Sequence, residues 1–124
     1  METLTHPEVE IDNRKSMDSW QIESQLAEIG VPYIEVSWTD EFLIRENLQN
    51  YFAEIIAGYA LLELQEESKE SPNVKKLKEW ADNSLDMIHE KRKYYQYNLR
   101  ETQQLLIWLM KESKKVEQLR KDEI

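Results

Sequence analysis

The chain has 124 residues, 40% hydrophobic and 33% charged, with 25 acidic against 16 basic side chains. That apolar share is too high for a wholly disordered chain and enough for one modest core, while two glycines and three prolines argue against loop-rich β architectures and glycine-cradled nucleotide sites. The lack of cysteine removes disulfides, thiolate metal sites and cysteine nucleophiles, and a formal charge of −9 opposes binding to nucleic acid or anionic lipid over most of the surface.

Met1 to Pro7 carries neither the basic n-region nor the apolar h-region of a signal peptide. No window approaches the ~18 uninterrupted apolar residues of a membrane span. The expectation is therefore an intracellular, cytoplasmic protein. Residues 1–15 are polar except for the pair Val9 and Ile11, and read as a flexible acidic tail or a short edge strand. Residues 16–124 read as one helical domain.

The first helix is expected over about 16–29. Ser16 or Ser19 can cap it, Asp18 suits its first turn, and Met17, Trp20, Ile22, Leu26 and Ile29 give it an apolar side. Gly30 and Pro32 then supply a strong stop signal. Tyr33 to Trp38 alternates, with Ile34, Val36 and Trp38 on one side, as a short strand or extended connector does. Its mate inside the chain would be the Val9–Ile11 segment, making a minor two-stranded β element. If neither pairs, a partner protein could add a strand here.

A second helix is expected over about 40–67, with Thr39 as cap and Asp40 and Glu41 favourable to the helix dipole. Ile44, Leu48, Tyr51, Ile55, Tyr59 and Leu62 recur at steps of three and four, and Phe52 and Ile56 broaden the stripe. Between Tyr51 and Leu64 the helix is apolar on most of its circumference, which implies burial against more than one neighbour. Gly58 costs roughly 1 kcal/mol there relative to alanine. A close helix crossing would account for it.

Ser71 and Pro72 read as N-cap and first residue of a third helix over about 72–121. Val74, Ala81, Ile88, Tyr95, Leu109 and Val116 lie seven or fourteen apart, with Thr102 filling the gap, and form an impure heptad seam. A continuous helix of ~50 residues would be about 75 Å long, about twice what the second helix could cover. Either it breaks near His89–Asn98, where aliphatic residues vanish, or its distal half packs on another chain. The second option makes a homodimer and is the one the pattern favours. The fold expectation is all-α: a three-helix bundle, or four if the last helix breaks, with a long C-terminal helix.

Charge is uneven. Residues 1–73 hold 16 acidic and 4 basic side chains, a balance of −12, whereas residues 74–124 hold 9 acidic and 12 basic, a balance of +3. Either the third helix lies against the acidic half, or that half faces a basic partner.

Chemical motifs are sparse. Asp86-x-x-His89 has the helical spacing of carboxylate-bridged metal bundles, but such sites need a second carboxylate–histidine pair, and the other histidine, His6, is in the tail. Neither a nucleophile elbow nor a phosphate loop is present, and one residue in five is acidic, so paired carboxylates are uninformative. No catalytic residue, metal or cofactor is assigned. Lys91-Arg92-Lys93-Tyr94-Tyr95-Gln96-Tyr97 interleaves basic and aromatic residues, but a helix points them all round, so direct nucleic-acid contact is not expected.

Trp20 and Trp80 are expected in the core. The run Leu105-Leu106-Ile107-Trp108-Leu109-Met110 covers every side of its helix, so Leu105, Leu106, Trp108 and Leu109 are the candidate oligomer interface. The functional expectation is a non-enzymatic inhibitor or adaptor whose acidic half occupies a basic surface on a nucleic-acid-handling protein. Small acidic proteins that obstruct nucleases and DNA-binding enzymes, phage-encoded anti-defence proteins and DNA mimics among them, work by that physics. The candidate contacts are Glu35, Asp40, Glu41, Glu46, Glu54, Glu63, Glu66 and Glu67. The alternatives are an assembly subunit built through the C-terminal helix and a helical metal protein centred on Asp86 and His89.

Overall fold

A computed structural model of the chain describes residues 15–123. It is all-α, with helices α1 (Ser19–Ile29), α2 (Glu35–Thr39), α3 (Glu41–Glu67), α4 (Val74–Lys93) and α5 (Leu99–Asp122), and a 3₁₀ turn at Tyr94–Gln96. There is no strand among the described residues, and no helix among them is long and apolar enough to cross a membrane. The tail, including Val9 and Ile11, lies outside the described residues.

Helix α3 organises the rest. Ile44, Leu48, Phe52, Ile55, Tyr59 and Leu62 recur at three- and four-residue steps and are fully buried, each worth about 1.5–3 kcal/mol against exposure for an aliphatic or Phe side chain. Helix α4 runs back along α3, where Asn83 Nδ2 donates to the Tyr59 hydroxyl at 3.3 Å. Helix α5 then runs in the same direction as α3, with Ser113 donating to Glu54 at 3.1 Å. Helices α4 and α5 each pack along α3 more closely than on one another, and α1 lies on α5. At the crossing with α5, a Cβ on Gly58 would come within 2.5 Å of Val116 Cγ1. The interior glycine therefore marks the close approach that its position in the sequence suggests.

Helix ends follow local chemistry, with some shifts from expectation. Gly30 takes the left-handed conformation, φ 86°, and its N–H and that of Val31 return to the Leu26 carbonyl at 2.9 Å each. Asp18 rather than a serine begins α1, and its N–H donates to the Gln21 side chain. Asp40, not Thr39, caps α3, accepting from the Phe42 and Leu43 amides. Asn73, not Ser71, caps α4 by accepting from the Lys76 amide.

The segment expected as a strand is a single helical turn instead. Ser37 N–H reaches the Ile34 carbonyl at 3.0 Å and Asp40 N–H reaches that of Val36 at 3.1 Å, so local bonds replace the ladder that no described strand could supply. Trp38 is buried while Ile34 and Val36 point outward.

The long C-terminal helix breaks within the stretch from which aliphatic residues are missing. The chain leaves α4 through the 3₁₀ turn, becomes extended at Tyr97 (φ −78°, ψ 145°) and restarts at Asn98. Asn98 and Glu101 form a reciprocal capping box, each amide bonded to the other's side chain at 2.9 Å. The fold-back discards the proximal half of the heptad seam. Val74 and Tyr95 are exposed, and Trp80, Met87 and Tyr94, also spaced by seven, form the buried row. Beyond the break Thr102, Leu109 and Val116 are buried as the seam requires. Trp20, expected in the core, is exposed, because Ile22 and Leu26 define the buried side of α1 and Trp20 sits on the other.

Candidate interaction surfaces

Of the eight candidate carboxylates, four gather at the corner where α2 meets α3. Glu35 opens α2, Asp40 caps α3, Glu41 follows and Glu46 lies just beyond, all exposed. Three large apolar side chains occupy the same stretch: Ile34 is 55% exposed, Val36 57% and Phe42 68%. Not all of this charge is free. Asp40 accepts the α3 amides, and Glu41 holds Arg45 at 2.9 Å.

The other four do not join that group. Glu54 sits on the α5 flank with Ser113, whereas Glu63 and Glu67 lie on the opposite flank. The α3 carboxylates therefore wrap the helix rather than forming one row. Glu66 is buried and committed within the chain: Lys69 Nζ donates to it at 2.8 Å and the Asn73 amide at 2.7 Å. The Lys69 bond, then the Asn73 bond, holds its carboxyl below the ordinary carboxylate value. Glu123 is held below its ordinary value by Lys76 and then Lys69. This cluster ties the α3–α4 turn to the end of α5.

On α5, Leu105, Leu106 and Leu109 are covered by the chain's own helices, so their burial requires no second copy. Trp108 is the exposed member of that set. It walls a shallow groove of ≈430 Å³ between α4 and α5, together with Glu90, Tyr97, Glu101, Gln104 and Leu105. Tyr97 donates its hydroxyl proton to Glu90 at 2.7 Å. That bond, reinforced by burial, pushes the phenol up to about 12.

The basic–aromatic run is not a platform. Tyr94 is buried and stacked on Phe52 with ring centroids 5.6 Å apart, Tyr95 is exposed, and Tyr97 turns to Glu90. Asp86 and His89 are exposed on α4, and the described residues contain no group of three or more His, Asp or Glu placed to hold a metal ion.

Two working residues, Arg45 and Gln103, carried no signal in the pattern, and a third, Glu66, works inside the chain rather than as the exposed contact expected. Arg45 serves the α4–α5 turn, Gln103 is fully buried and bonds to Met17 and Trp38, and Glu66 serves the α3–α4 turn. Gln103 stands between Thr102 and Gln104, so nothing in the local pattern marks it. No family model, curated protein or solved structure matches the chain.

Proposed function

We propose that the chain is a non-catalytic interaction module, an adaptor or inhibitor that docks on a basic surface of another protein through the α2–α3 corner. One observation carries this reading: exposed Ile34, Val36 and Phe42 stand among exposed Glu35, Asp40, Glu41 and Glu46. Exposed apolar side chains interspersed with carboxylates are the makings of a protein interface, and those carboxylates favour a basic partner and speed its approach. Nucleic-acid-handling proteins carry such surfaces, so they are the partner class this charge fits. Because the α3 carboxylates wrap the helix, the partner is held by the mixed corner rather than by a phosphate-like row.

The test is capture of binding proteins from nuclease-treated lysate of the native host, with salt-gradient elution, by the wild type, Phe42→Asp and Glu41→Gln/Glu46→Gln. A specific basic protein retained by the wild type, lost with Phe42→Asp and released at lower salt from the double variant would support the corner. Equal retention by all three would remove it.

A further inference from the structure

Helix α3 keeps one apolar face uncovered. At about 100° per residue, Ala53, Ala57, Ala60, Leu61 and Leu64 fall on the side turned away from α4 and α5. All five are exposed, Leu61 by 43% and Leu64 by 63%. A helix apolar around its circumference is ordinarily buried all round, and among the described residues the chain's own elements cover only the opposite side. We infer that α3 pairs with α3 of a second copy of the chain, antiparallel about a two-fold axis at Ala57.

Size selects a second copy in that orientation, and the carboxylates permit it. The stripe is small toward its N-terminal end, at Ala53 and Ala57, and large toward its C-terminal end, at Leu61 and Leu64. Reversed on itself about Ala57, it sets Leu61 over Ala53 and Leu64 over Asn50 at both ends, so large meets small. A two-fold interface requires this self-complementarity, and the alanines at its centre allow the helices the close separation of about 8 Å.

The same register keeps carboxylates apart. Glu54 comes opposite Ala60, Glu67 opposite Asn47 and Glu46 opposite Ser68, while Glu63 turns away from the seam. Each contact therefore occurs twice. The pairing shares only Glu46 with the α2–α3 corner. It also responds to salt in the opposite sense: two copies of net charge −9 repel, so screening strengthens their association, whereas it weakens the hold on a basic partner.

The chain has no cysteine, so single cysteines report the pairing cleanly. Under mild oxidation Ala57→Cys should link to itself, and Asn50→Cys mixed with Leu64→Cys should link to each other. Asn50→Cys alone should not, its two copies being about 21 Å apart along the axis. Asp82→Cys, on the exposed face of α4, is the collision control. Sedimentation of the unmodified chain should show concentration-dependent mass approaching two copies, more so at higher salt. Leu64→Lys should weaken this by more than roughly tenfold with helical circular dichroism unchanged. A chain monomeric at about 100 μM, linkage of Ala57→Cys no faster than Asp82→Cys, or self-linkage of Asn50→Cys would overturn the pairing.

Discussion

The Arg45 guanidinium, on the first turns of α3, donates to the backbone carbonyl of Tyr97 at 2.7 Å, fifty-two residues later in the chain. It also reaches the Tyr94 carbonyl at 3.3 Å and lies over the Tyr94 ring. Breaking a helix frees carbonyls that need donors, and no glycine or proline marks this break. One planar fork from a neighbouring helix supplies the donor for Tyr97 and a second one for Tyr94, whose carbonyl also accepts the Tyr97 amide, while Glu41 orients that fork from the preceding turn.

Replacing Arg45 should therefore weaken the bend as well as the surface. Arg45→Ala removes a charged donor from part-buried carbonyls, a loss of about 1.5–3 kcal/mol. Arg45→Lys should recover little, because an ammonium cannot span both carbonyls. Urea denaturation measures both. A lysine variant as stable as the wild type would show that charge alone suffices.

Gly58 and Val116 give a prediction whose sign reverses with background. Alanine at position 58 gains roughly 1 kcal/mol of helix propensity but meets Val116, whose χ1 is stiff in a helix. Overpacking of this kind costs about 1–3 kcal/mol, so Gly58→Ala should be neutral to destabilising in the wild type. In a Val116→Ala background the clash is gone and the same change should stabilise. Additive effects in the double-mutant cycle would contradict the contact.

Gln103 fastens the entry of the chain to the bundle. Its side-chain oxygen accepts the Met17 amide at 2.7 Å, and its amide donates to Ser16 Oγ and the Trp38 carbonyl. Gln103→Leu keeps the volume but leaves buried backbone groups unpaired, at about 1–3 kcal/mol each. Hydrogen exchange should quicken first at Met17. Unchanged protection there would rule out the fastening.

The Glu66–Lys69–Glu123–Lys76 cluster makes stability depend on pH at the acid end. Both carboxyls are held below their ordinary value of 4.5. A folded-state value depressed below the unfolded one gives stability that is complete above pH 4.5 and lost as pH falls through the folded value. Glu66→Gln should therefore be less stable than the wild type near neutrality, with the gap narrowing below pH 4.5. Denaturation curves across pH 2–7 in low salt follow it, and a gap independent of pH would dismiss the ion cluster.

Much of the fold was legible because it is written in local periodicity. Five of the six stripe positions expected on α3 (all but Tyr51, which is half-buried while Phe52 is buried), the Gly30 stop, the turn before α4 and the close crossing at Gly58 all depend on residues a few positions apart. What was not legible depends on distant partners. The bend at Tyr94–Asn98 was one of two options and not the favoured one, since Arg45 on another helix sustains it, and α2 is helical with Trp38 reaching the core while Ile34 and Val36 turn outward. Among the candidate contacts, exposure at Glu35, Asp40, Glu41 and Glu46 followed from polarity. Burial of Glu66 did not, since only the fold brings the Asn73 amide onto it. The open face of α3 was the inverse case: an all-round apolar helix was expected to be covered, and one side is not.

The most direct measurement is to add a captured basic partner to the isotopically labelled chain and map backbone amide shifts. Perturbations concentrated over Ile34–Glu46 and diminished by Phe42→Asp are the expected result. Perturbations centred on α5, with Ile34–Glu46 unmoved, would contradict docking through the α2–α3 corner.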